Sequence, residues 1–143
     1  MAIEIEARGE RTALRCRAVE MLAASAGDGG VDGDHLIEVA ALHRAAGHLP
    51  VLLTSITKYL AEPIAEDLGL RHLLVSELVV QNGLFTGEMV RPICYGAGKL
   101  HWARAFSSTH GVDLDRSYFY TDSITDLPVL ELVGRPRVVN PDP

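Results

Sequence analysis

The sequence predicts an α/β fold: a parallel sheet whose strands are joined by crossover helices. Three observations carry this. Pro50-Val51-Leu52-Leu53-Thr54 is a short unbroken apolar run, the pattern of a strand covered on both faces. Ser117-Tyr118-Phe119-Tyr120-Thr121 is a second such stretch, rich in residues that suit a pleated surface. Between and around these runs lie segments of helical length and spacing, and strands alternating with helices argue for a parallel sheet.

The elements follow in order. Glu10 to Ala24 is rich in Arg, Ala, Leu and Glu and suits an amphipathic helix. Ser25 to Asp34 is full of Gly, Asp and Ser and reads as a break. Asp34 is a candidate N-cap for a helix over His35 to Ala46, with Leu36, Val39, Ala40 and Leu42 inward and Gly47 closing it. After the Pro50–Thr54 strand a helix runs from about Thr57 to Leu68, with Pro63 inside it and Gly69 at its end. Leu73 to Val80 and Leu84 to Glu88 flank Asn82-Gly83, the strongest short hairpin signal. Cys94-Tyr95-Gly96-Ala97-Gly98-Lys99 opens a helix that reaches about His110 and stops at Gly111. The Tyr118–Tyr120 strand follows, then a short helix with apolar Leu127, Val129, Leu130 and Val133, then a last strand at Val138-Val139.

Composition excludes several classes. The chain has 143 residues, 48% of them hydrophobic and 22% charged, ordinary for a globular domain with a real core. A net charge of −6 with no basic stripe argues against nucleic acid as a partner. No apolar run approaches the roughly 18 residues that span a bilayer, and Met1 to Glu6 alternates charged and apolar side chains unlike a signal peptide. Two distant cysteines, Cys16 and Cys94, do not make a disulfide framework. The expected compartment is the cytoplasm. Asp28, Asp32 and Asp34 lack the ligand spacing and closing Glu of a calcium loop.

The chemistry concentrates at strand ends. Asp122 follows the aromatic strand directly and Asp126 comes four residues later, where open α/β sheets bind ligands. Such a pair either holds a cation, Mg²⁺ by preference, or serves as a strand end and a favourable charge in a helix's first turn. Thr54 and Ser55 end the apolar strand, and Lys99 follows a Gly-x-Gly turn. Hydroxyl, lysine and carboxylate-held Mg²⁺ together would suit a phosphate. The glycine turn is not a Walker loop, because its first glycine is missing and Leu100 replaces the Ser or Thr.

These segments resemble the haloacid dehalogenase (HAD) superfamily, in its phosphoserine-phosphatase-like branch. Thr54 through Glu62-Pro63-Ile64-Ala65 resembles the second motif, Tyr95-Gly96-Ala97-Gly98-Lys99 the third, and Tyr120-Thr121-Asp122-Ser123-Ile124-Thr125-Asp126-Leu127-Pro128 the fourth. Val138-Val139-Asn140-Pro141-Asp142 is also similar to this branch. The resemblance covers about residues 35 to 143. It implies a three-layer Rossmann-like core over 35–143 and a helical segment over 1–34 that is the remnant of a cap. It also implies Thr54, with Ser55 beside it, and Lys99 as phosphate-binding residues. Asp122 becomes the Mg²⁺ ligand with Asp126 supporting it, and the substrate a small phosphorylated metabolite.

One departure dominates. The family's first motif is an apolar strand followed by Asp-x-Asp-x-Thr, which supplies the nucleophile, and no such segment precedes Thr54. Asp32-Gly33-Asp34 follows glycines rather than a strand, and Glu4-Ile5-Glu6 offers glutamates instead of aspartates. The expected sheet is therefore incomplete at its centre. Residues 2 to 7, a helix, or a second copy or partner chain are expected to cover the gap. Two functions follow: a Mg²⁺-dependent phosphomonoester phosphatase, truncated and weakly active or inactive as this chain, or a non-catalytic module that binds phosphate or a protein.

Overall fold

The computed structural model describes residues 19–22 and 33–139, with side chains from Leu36 onward. Seven strands and four helices make up this part: β1 (Val19–Leu22), α1 (Gly33–Ala45), β2 (Leu49–Thr57), α2 (Lys58–Asp67), β3 (His72–Ser76), β4 (Leu78–Gln81), β5 (Leu84–Met89), α3 (Ala97–His110), β6 (Tyr118–Thr121), α4 (Leu127–Leu130) and β7 (Arg135–Val138). Five strands form one sheet in the order β3-β2-β1-β6-β7, and every pairing in it is parallel. The expected parallel sheet is present.

Its centre differs from expectation. Val19–Leu22 falls inside the segment that composition assigned to a helix, yet it is a strand between β2 and β6. It pairs Leu22 with Leu52 on one side and with Tyr120 on the other. The sheet is therefore not open at its centre, and the slot is filled by Val19–Leu22 rather than by residues 2 to 7 or a second chain. The reason is tertiary. Two apolar neighbours offer a complete set of backbone partners, and that outweighs a weak helix propensity over four residues. The remainder of the expected helix, residues 2 to 7 and most of the expected cap segment lie outside the described residues.

The helices cover the sheet. α1 buries Leu36, Ala40 and His43, spaced by four and three residues along one face. Leu42, expected inward, is 70% exposed, and His43 turns inward in its place, against the Tyr120 hydroxyl. Gly47, at φ +82°, ends α1 with paired bonds from Gly47 N–H to Arg44 and from His48 N–H to His43, the glycine-closed ending expected. Gly69 closes α2 in the same manner, through Gly69 N–H to Glu66 and Leu70 N–H to Ala65. Pro63 lies within α2, on its exposed side, without ending it.

The apolar run 73–80 divides in two. His72–Ser76 is a parallel strand of the main sheet, whereas Leu78–Gln81 is one arm of a separate hairpin with β5. The break falls at the polar Ser76-Glu77 pair inside the expected strand, a signal that a reading of 73–80 as one strand passes over. The turn itself is as expected: Asn82 and Gly83 both have positive φ, the conformation a two-residue hairpin turn requires. β7 begins three residues before Val138, since its pairing runs from Tyr118↔Arg135 to Thr121↔Val138. The core between the layers is built on Val51, Leu52, Leu53, Ala103, Phe119 and Val129, all fully buried.

Candidate functional site

Because all five strands run the same way, their carboxyl ends share one edge. Leu22 is level with Leu52 and with Tyr120. Thr54 and Asp122 each lie two residues beyond that level, on the strands that flank β1. The two are thus at equal height, about 10 Å apart across the central strand. Thr54 is fully buried and Asp122 is 7% exposed. Ser55 is exposed, so only the first of the two expected hydroxyls faces the interior.

Lys99 reaches the same edge from the first turn of α3. Its Nζ donates to Asp126 Oδ1 at 2.6 Å, and both side chains are buried. Thr121 Oγ donates to Asp126 Oδ2 at 2.8 Å, and Ser123 N–H donates to the same threonine oxygen. Asp126 thus holds the lysine with one oxygen and fixes the strand end with the other. Thr121 was not singled out from sequence. The alternation along Tyr118–Thr121 was the available signal, since it places Phe119 and Thr121 inward together.

Glycine is needed twice in the turn before Lys99. Gly96 adopts φ +51° with ψ −124°, a region that only glycine enters readily. At Gly98 a Cβ would stand 1.8 Å from the Ile93 carbonyl oxygen, so the helix start packs directly on the preceding backbone. The Gly-Ala-Gly-Lys sequence is therefore a packing device that seats Lys99.

Cys94, also missed as a site residue, sits beneath this cluster. It is fully buried, and its Sγ donates to the Leu74 carbonyl at 3.5 Å. Burial pushes its pKa up to about 12, with Lys99 pulling the other way. A thiol held in that form is no nucleophile at neutral pH.

The family implies Mg²⁺, which prefers oxygen ligands and is usually held by one or two carboxylates plus water and phosphate. Asp122 fits as one ligand: it is a buried carboxylate that makes no hydrogen bond or ion pair with the described residues. Asp126 has both oxygens engaged, one of them by a cation. Among the described residues no group of three or more His, Cys, Asp or Glu is placed to hold a metal. After Leu22 the sequence continues Ala23-Ala24-Ser25, without the carboxylates that follow the first strand in the family pattern.

Residues 4–131 match the model of haloacid dehalogenase-like hydrolases. The chain belongs to this HAD family. Among similar proteins, the probable phosphatase Rv3661 of Mycobacterium tuberculosis is 40% identical over 105 residues, covering 73% of this chain and 36% of that protein. Phosphoserine phosphatase SerB1 of the same organism is 38% identical, covering 73% of this chain and 34% of that protein. The chain thus spans about a third of the length of these curated relatives. A Bordetella pertussis protein of unknown function superposes with a TM-score of 0.70 at 34% identity, covering 75% of this chain and 49% of that one. A probable phosphoserine phosphatase from Vibrio cholerae shares the fold, with a TM-score of 0.62 at 18% identity over 74% of this chain and 33% of that one. The parallel sheet of this HAD chain is that of its phosphatase-like neighbours. No helix among its described residues is long and apolar enough to cross a membrane.

Proposed function

We propose that this HAD chain binds a phosphomonoester together with Mg²⁺ at the carboxyl edge of its sheet, and that the chain itself hydrolyses it negligibly. The buried Lys99–Asp126 pair beside Asp122 carries this reading. A lysine positioned by a carboxylate and a threonine is fixed in place, so it attracts phosphoryl oxygens without reorganising. Thr54, at the same level, supplies a hydroxyl to the same oxygens. Asp122 would hold Mg²⁺, which when bound neutralises charge on the phosphoryl group. The substrate class is a small phosphorylated metabolite, by analogy with the phosphatase relatives.

Hydrolysis in this family's manner needs a carboxylate that attacks phosphorus, and Ala23-Ala24-Ser25 supplies none. Cys94 does not substitute for it, being buried and held as the thiol. The experiment is calorimetric binding of a phosphomonoester with Mg²⁺, run beside an assay of phosphate release. Saturable binding with release at background is expected. Robust release that Asp122→Ala abolishes would show that another residue acts as nucleophile, and Glu4, Glu6, Asp32 and Asp34 would be the first to substitute.

A further inference from the structure

The two edges of the five-stranded sheet are built differently. β7 carries the exposed Pro136 between Arg135 and Arg137, features that discourage another strand from pairing there. β3 reads His72-Leu73-Leu74-Val75-Ser76, with neither proline nor lysine to blunt it. A groove of about 470 Å³ follows this edge, walled by Lys58 and Glu62 of α2 and by Phe106 and His110 of α3. Arg71 and Glu77 stand at its two ends. Both are exposed, and among the described residues neither side chain makes an ion pair.

We propose that β3 pairs antiparallel with β3 of a second copy of this chain, about a two-fold axis through Leu74. Arg71 and Glu77 each lie three residues from Leu74, so this register sets Arg71 of each copy opposite Glu77 of the other. The charges of the edge are thus self-complementary, as a two-fold interface requires. The backbone agrees with the same register. The Leu74 carbonyl accepts from the buried Cys94 Sγ, a sulfur that the Thr54 amide of β2 also reaches. Leu74 therefore turns its polar groups toward β2, and by alternation Leu73 and Val75 turn theirs to the free edge. About the Leu74 axis, Leu73 faces Val75 of the other copy, so the outward amides and carbonyls meet in hydrogen-bonded pairs. The result is one continuous sheet with the grooves of α2 and α3 flanking the seam.

Sedimentation equilibrium of the full chain tests this. The wild type is expected to dimerise. Arg71→Glu and Glu77→Arg should each raise the dimer dissociation constant by about tenfold, since each puts two like-charge pairs across the axis. The double swap Arg71→Glu/Glu77→Arg should restore the wild-type constant to within about threefold. Both positions are exposed, and circular dichroism with urea melts confirms that each variant is folded. A monomeric wild type overturns the proposal, and so does a dimer indifferent to the single changes or not restored by the swap. A monomeric chain that instead adds an unrelated extended peptide at this edge also overturns it.

Discussion

Lys99 Nζ lies 2.6 Å from Asp126 Oδ1, with the lysine side chain 6% and the aspartate 0% exposed. Two charges held this far from water tolerate each other only as a pair, because the desolvation of either alone is unmatched. Lys99→Met should therefore destabilise the chain by about 3–5 kcal/mol, while Lys99→Met/Asp126→Leu should be closer to wild type than the single variant. Urea denaturation of both, read at constant m-value, checks this. Both variants should lose phosphate binding, which separates the lysine's ligand role from its structural one.

Asp122 has a different part. Its carboxylate has no protein partner among the described residues, so removing its charge breaks no ion pair. Asp122→Asn should keep the wild-type melting temperature without metal and lose the rise that Mg²⁺ and phosphate produce together. At ten times the dissociation constant that rise corresponds to about 1.4 kcal/mol, and EDTA should reverse it. A metal-dependent shift that survives the substitution would move the cation site elsewhere.

A histidine cluster on the α1 face makes stability fall in mild acid. His43 Nδ1 meets His48 Nδ1 at 3.2 Å and His43 Nε2 meets the Tyr120 hydroxyl at 3.0 Å, with the Tyr118 ring against His43. One proton serves the Nδ1 pair, so the two rings cannot both be charged without losing that bond. Burial lowers both pKa values to about 4, and Arg135 contributes at His48. The folded values lie below the unfolded value near 6.5, so the unfolded chain takes up protons first. The contribution is complete above about pH 6.5 and is lost as pH falls toward 4. Urea midpoints across that window should decline, and His43→Phe should flatten the decline.

Gly98→Ala should cost about 3 kcal/mol, the upper range for overpacking, because the new methyl meets the Ile93 carbonyl and the backbone must move. Gly96→Ala, which has room but a positive φ, should cost about 1–3 kcal/mol. Thermal melts of the two variants rank them. Gly98→Ala should also weaken phosphate binding, since the movement displaces Lys99.

Much of this protein is written locally. The strand around Val51–Leu53, the glycine ends of α1, α2 and α3, and the Asn82-Gly83 turn follow from runs, caps and φ requirements that neighbours in sequence set. The three motif segments, too, were legible through their resemblance to the family. What sequence left open depended on partners distant along the chain. Val19–Leu22 has a helix-compatible composition, and only the free positions beside Leu52 and Tyr120 make it the central strand. The run 73–80 divides because β2 offers pairing up to Ser76 and no further. His43 turns inward where Leu42 was expected because a tyrosine hydroxyl is there to meet it. Asp126 was readable as an acid near Asp122, but its engagement by Lys99 and Thr121 needed α3 and β6 brought to one edge. Local sequence set conformations and chemistry; the burial of charge and the completion of backbone pairing, which are properties of the packed chain, decided where each was used.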